Sequence, residues 1–199
     1  MFDRLSSTIQ GVVNMSWPTV IISVVVLVSF RICYLVKNKQ KIVIYKELLA
    51  LSFIIYALCL FQVVTFQDDT TWSSHNFIPF KEILRYNIGS RLFVKNVLGN
   101  MIMFLPYGFF ISFYLKNEKP WLTLILTVIA SFAIELVQMM IGRVFDIDDI
   151  LLNLLGGCFG YLVYYWLRRF WEKLPSVFKS EMCLNIISII ILLGIITIL

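Results

Sequence analysis

The 199-residue chain is 60% hydrophobic and carries only 29 charged side chains, 17 basic and 12 acidic, with a mean hydropathy of +0.87. A soluble domain of this length is roughly 45–50% apolar and about 25% charged, so the expected class is an all-α, polytopic integral membrane protein, a single transmembrane helical domain over 1–199. The net charge of +5 reflects scarce acids rather than clustered bases, which excludes nucleic acid as the expected partner and leaves membrane lipids.

Charge-free runs predict the spans in chain order. Gly11 to Phe30, Leu48 to Gln67, Asn96 to Leu115, Ile150 to Leu167 and Met182 to Leu199 contain no charge, and Trp121 to Ile141 contains one, Glu135. That is about six transmembrane helices, each long enough to cross about 30 Å of hydrocarbon. Arg31 follows the first run directly and has to reach one interface. Trp17, Trp72, Trp121, Trp166 and Trp171 fall towards run ends, where amphipathic rings favour the headgroup layer. The opening Met1-Phe2-Asp3-Arg4 lacks the basic start of a removable signal peptide and is expected to stay in the mature protein.

Orientation is read from the bases. Alternate connections hold 11 bases against four acids on one side and six bases against seven acids on the other. The positive-inside rule then expects a multi-pass cell-membrane protein with both termini outside. Asp68 to Lys95 and Gly142 to Asp149 share the outer face in this reading. Within the first of these stretches Phe80, Ile83, Leu84 and Ile88 recur at helical spacing after Pro79, which predicts a short interfacial or re-entrant helix.

Three spans carry polar residues that are costly in hydrocarbon. In the fourth, Ser131, Glu135, Gln138 and Gly142 lie on one face. An ionisable group there is either helix-to-helix glue or part of a site, and the second reading is favoured. The fifth span repeats the spacing with Asp149, Asn153, Gly156 and Gly160; the last two form a small-xxx-small pair expected to admit another helix, the fourth being the expected one. Asp148 stands where a helix N-cap belongs. The third span places Asn96, Asn100 and Tyr107 on one face, with Pro106 and Gly108 as shaping residues. Arg143 is suited to pair with Asp146, Asp148 or Asp149, or to hold an anionic ligand group.

Together these residues predict an outward-facing polar pocket built from Asn96, Asn100, Glu135, Gln138, Arg143, Asp148, Asp149 and Asn153, roofed by Asn76 to Arg91. Pro79, Pro106, Gly108, Gly156 and Gly160 are expected to be structural. Cys33, Cys59, Cys158 and Cys183 form no CxxC pair, and His75 is the one histidine, so no disulfide framework, metal or cofactor is expected. No nucleophile paired with a base is visible. The leading expectation is therefore a binder of an amphiphile rather than an enzyme. Two alternatives stay open: an intramembrane enzyme with Glu135 as acid or base and Asp148 or Asp149 orienting water or a metal, and a lipid transporter or flippase.

At these residues the chain resembles the VanZ family of small membrane proteins. The matching pieces are Asn76-Phe77-Ile78-Pro79-Phe80, Asn96-Val97-Leu98-Gly99-Asn100 running into Phe104-Leu105-Pro106-Tyr107-Gly108, Glu135-Leu136-Val137-Gln138, Arg143, and Asp146-Ile147-Asp148-Asp149-Ile150 with Asn153, Gly156 and Gly157. They define a core over 76–165. The resemblance implies low-level antibiotic resistance to teicoplanin and related lipoglycopeptides in Gram-positive bacteria; it leaves open whether such a protein alters the precursor, alters the surface or captures the drug, and a lipid-linked peptidoglycan precursor or the drug itself is the expected partner.

Overall fold

In the computed structural model the described residues are 2–66, 75–116 and 118–198, with side chains described over 17–63, 75–116 and 118–193. Asp68, Asp69 and Trp72, and the side chains of Asp3 and Arg4, which the charge and aromatic readings used, lie outside them. The described chain is helical throughout apart from turns and one isolated parallel bridge between Asn76 and Asp146. The long helices are α1 (Phe2–Lys37), α2 (Ile44–Phe66), α3 (Gly99–Leu115), α4 (Trp121–Met140), α5 (Ile147–Lys173) and α6 (Glu181–Ile198).

Among the described residues five helices are long and apolar enough to cross a membrane: Trp17–Lys37, Ile44–Val63, Phe93–Leu115, Trp121–Met140 and Ile147–Lys173. The sixth run is a shorter apolar helix over Glu181–Leu193. An all-α membrane protein is what the composition demands.

The helices overrun the charge-free limits, and some of the charges they take in are paired. Arg31 lies inside α1, and its guanidinium grips the Glu47 carboxylate of α2 through two bonds of 2.9 and 3.0 Å. Arg31 thus does not end the first span.

The chain divides into two units. One holds α1, α2 and α6, tied by the Arg31–Glu47 pair, by Lys41 to Glu181 at 2.8 Å, and by the Tyr45 N–H donating to Asn185 Oδ1 at 3.0 Å.

The second unit, 64–172, holds α3, α4 and α5. Its helices meet through glycine. A methyl added at Gly156 would collide with the Met101 carbonyl of α3, and one at Gly160 with the Leu105 carbonyl. The small-residue pair therefore admits α3, not the expected α4. Gly157, between them in sequence, is the residue that faces α4: a methyl there would lie 2.6 Å from Thr127 Oγ1. Gly108 in α3 packs on the Gly157 backbone in return. Backbones this close bring the polar faces of three helices within hydrogen-bond reach of one another.

The segment before α3 departs from the predicted amphipathic helix. It forms one 3-10 turn at Ile83–Arg85 and a π-helical turn at Phe93–Leu98 that runs straight into α3. Phe80 takes the left-handed conformation, φ +66°, which a bulky residue adopts at a cost of roughly 1–2 kcal/mol and which stops a regular helix there.

Candidate functional site

The polar residues concentrate where α4 ends and α5 begins. Along α4 the buried residues are Thr123, Thr127, Ser131, Glu135 and Gln138, a polar stripe running the length of the helix. The part near the start of the helix is a hydroxyl ladder: Ser112 of α3 and Thr123 share a bond of 2.9 Å, and Thr127 donates to the Thr123 carbonyl at 2.8 Å. Further along α4, Asn153 of α5 donates to Ser131 at 2.8 Å.

Glu135 is 1% exposed. Its Oε2 accepts the Asp146 backbone N–H at 2.9 Å. With the Gln138 amide in the orientation that satisfies both neighbours, its nitrogen donates to Glu135 Oε1 at 3.0 Å and its oxygen accepts from the Arg143 guanidinium at 3.0 Å. Glu135, Gln138 and Arg143 thus form one chain. The loop that follows α4 turns at Gly142, φ +88°, where the left-handed backbone favours glycine.

Asp146 caps α5: its Oδ1 accepts the Asp148 N–H at 2.9 Å. The N-cap is therefore Asp146, and Asp148, the residue expected there, is released for another task. Asp148 is 1% exposed, and its carboxylate accepts three backbone N–H groups of the segment before α3: Phe80 at 2.5 Å, Glu82 at 2.7 Å and Ile83 at 3.2 Å. These bonds hold the strained Phe80 turn down on the start of α5.

A second tether joins the same two stretches. The Asn76 N–H donates to the Phe145 carbonyl at 2.9 Å, the Ile147 N–H donates to the Asn76 carbonyl at 3.1 Å, and the Asn76 amide donates to Asp146 Oδ1 at 2.8 Å. His75 Nδ1 accepts the Phe145 N–H at 3.0 Å, so this histidine is engaged rather than a solvated loop residue. The Phe145 ring stacks on Phe77 at 5.3 Å and meets Phe132 of α4 edge-on at 6.3 Å. Burial pushes the Asp146 carboxyl above its ordinary value of 3.8, against the lowering pull of the Asp148 N–H and the Asn76 amide; the charges of Asp148 and Glu82 add to the rise.

The remaining residues fall into place around this cluster. Asn100, in the first turn of α3, donates to Asp149 Oδ1 at 2.5 Å. Asn96 donates to the Tyr86 hydroxyl at 2.8 Å. No hydrogen bond among the described residues links Asn96 or Asn153 to Glu135, Gln138 or Arg143, so these two stand at the margins. The predicted pocket left out His75, Asp146 and Ser131 and held Asn76 and Tyr86 only as part of its roof; of these, Asn76 and Asp146 stood in the matching motifs. Among the described residues no group of three or more His, Cys, Asp or Glu is arranged to hold a metal ion.

Above the cluster the held-down segment turns its apolar side chains outward. Phe77, Ile78, Phe80, Leu84 and Ile88 are all exposed, Ile88 to 90%. A buried, charged hydrogen-bond network thus lies directly beneath an apolar surface.

A family model described as VanZ/LLP1 matches residues 53–168, which takes in most of α2, the tethered segment, α3, α4 and most of α5. The chain belongs to the VanZ/LLP1 family. No curated protein and no solved structure matches the chain. The VanZ/LLP1 match contains every residue of the network, from His75 to Asn153. It is a membrane protein of the VanZ type, and its polar residues lie within the family's own segment.

Proposed function

We propose that this VanZ-type protein binds an amphiphile at the Glu135–Asp148 cluster in the outer leaflet, with both termini outside the cell. The ligand class is a lipid-linked cell-wall component or a teicoplanin-like lipoglycopeptide, and binding lowers susceptibility to such drugs in a Gram-positive host. The observation that carries the reading is the pairing of a buried charged network with an exposed apolar roof on one segment, Phe77 to Ile88. A molecule with a polar head and an acyl tail meets complementary chemistry on both parts.

Arg143 faces the head group. It is half-buried, and Gln138 orients its guanidinium; a planar guanidinium suits carboxylate or phosphate. Glu135 and Asp148 have both carboxylate oxygens engaged by the protein itself, which favours a shaping role over proton transfer. The test is equilibrium binding of a fluorescent lipoglycopeptide to the full chain in nanodiscs. Saturable binding that weakens about tenfold or more in Arg143→Ala supports the proposal; unsaturable uptake equal to that of empty nanodiscs ends it.

A further inference from the structure

A half-open cleft of about 490 Å³ lies at the far end of α5, lined by Glu118, Tyr164, Tyr165, Arg168, Arg169 and Glu172. It shares no residue with the cluster around Glu135. Its size is within the usual range of ligand sites.

The walls are fixed by their own bonds. The Tyr161 hydroxyl donates to the Glu118 carbonyl at 2.7 Å, tying the α3–α4 loop to α5. Arg168 is clamped between Glu118 at 2.9 Å and Glu172 at 3.4 Å. Both carboxylates thus lie within ion-pair distance of Arg168. The next residue differs: no carboxylate pairs with Arg169 among the described residues, and its guanidinium lies over the Tyr165 ring at 5.2 Å from the centroid. Stacking of this kind holds a guanidinium flat while leaving its edge donors open.

Depth decides what reaches those donors. From Asp148 to Arg168 is 20 residues of continuous helix, about 30 Å at the α-helical rise, which equals the thickness of the hydrocarbon core. With Asp148 at one interface, Arg168 and Arg169 stand at the headgroup level of the other. The exposed Trp166 and Trp171 flank them at the depth where indole rings settle. The charged group present at that level in quantity is phosphate.

We propose that this cleft binds the phosphate group of a membrane phospholipid, with Arg169 as the cation that contacts it and Tyr165 as its platform. Bidentate guanidinium–phosphate bonds supply the affinity. The acyl chains run back along the lipid-facing side of α5, where Leu162, Val163 and Trp166 are exposed.

The experiment is native mass spectrometry of the full chain released from detergent, with three probes: phosphatidylglycerol, diacylglycerol as the phosphate-free lipid, and inorganic phosphate. Wild type is expected to retain phosphatidylglycerol but not diacylglycerol, and Arg169→Gln to retain about tenfold less, the effect of losing a charge-assisted bond. Arg169→Lys, which keeps charge without the stacked fork, is expected to fall between them. Lys37→Gln, an exposed base on α1, is expected to match wild type, with unchanged thermal unfolding for all variants as the folding check. Equal retention by wild type and Arg169→Gln, or equal retention of the two lipids, overturns the site. Displacement of the lipid by inorganic phosphate overturns the lipid as the source of the phosphate.

Discussion

The Glu135 carboxylate accepts the backbone N–H of Asp146 at 2.9 Å across 11 residues of chain. An acid buried in a membrane helix thus fastens the loop that starts the next helix. The same loop carries Arg143, and the residue after Asp146 opens α5, so the geometry of the whole network depends on this bond.

Glu135→Leu removes the acceptor and leaves the Asp146 N–H and the Gln138 amide without it. A buried unsatisfied group costs about 1–3 kcal/mol, so the unfolding midpoint in detergent is expected to fall clearly. Glu135→Gln retains one acceptor oxygen and is expected to lose less. Equal midpoints for wild type and Glu135→Leu would contradict the fastening role.

Asp148→Asn replaces one of two oxygens that accept N–H groups with an amide that is itself a donor. The expected loss is again about 1–3 kcal/mol, localised to Phe80–Ile83. Hydrogen exchange is the measurement: the N–H groups of Phe80, Glu82 and Ile83 lose protection while those in the middle of α3 and α4 keep theirs. Protection lost evenly through the unit is the contrary result.

The two kinds of glycine are expected to separate. Gly142→Ala meets open space, and only its φ of +88° is strained, at a cost of roughly 1–2 kcal/mol. Gly156→Ala drives a methyl into the Met101 carbonyl, so α3 and α5 have to part. Overpacking of that kind costs about 1–3 kcal/mol and occasionally more, and here it also pulls apart the Asn100–Asp149 pair, which joins the same two helices. Thermal unfolding checks the order, and a Gly156→Ala protein as stable as Gly142→Ala would refute the close approach.

Asp146 sets a pH dependence. Its folded-state pKa is raised above 3.8 by burial, so between 3.8 and the raised value the folded protein holds a proton that the unfolded chain has released. The associated stability is fully present below 3.8 and is lost as pH rises through the folded pKa. Asp146→Asn keeps the oxygen that accepts from Asn76 and Asp148 without the charge. Its unfolding midpoint is expected to vary less from acid to neutral pH than that of wild type; an identical pH profile is the result that counts against it.

The helices were legible because hydrocarbon leaves so little choice: a chain this apolar must hide its backbone in helices. The polar faces were legible in part for the same reason, since Glu135 and Gln138 have no cheap place in lipid. Thr123 and Thr127 extend that stripe yet look ordinary, because threonine is common in membrane helices and bonds its own backbone. What local spacing could not carry was pairing across 60 or more residues. Asn76 to Asp146 and Phe80 to Asp148 join stretches 70 and 68 residues apart, and the pull of Asp148 on three N–H groups is what turned an apparent amphipathic helix at Phe80 to Ile88 into a strained turn. The glycine stripe of α5 was visible, but its direction was not, since Gly156 and Gly157 point at different neighbours.

The central claim, that the network at the α4–α5 junction holds the ligand, is tested most directly by drug susceptibility. A sensitive Gram-positive strain expresses wild type or Arg143→Ala at matched membrane levels, and the minimal inhibitory concentration of a teicoplanin-like lipoglycopeptide is read beside that of a drug without a lipid tail. Wild type is expected to raise the value for the lipoglycopeptide alone, and Arg143→Ala to return it to that of the empty strain. No protection by wild type, or full protection by Arg143→Ala, would contradict the claim.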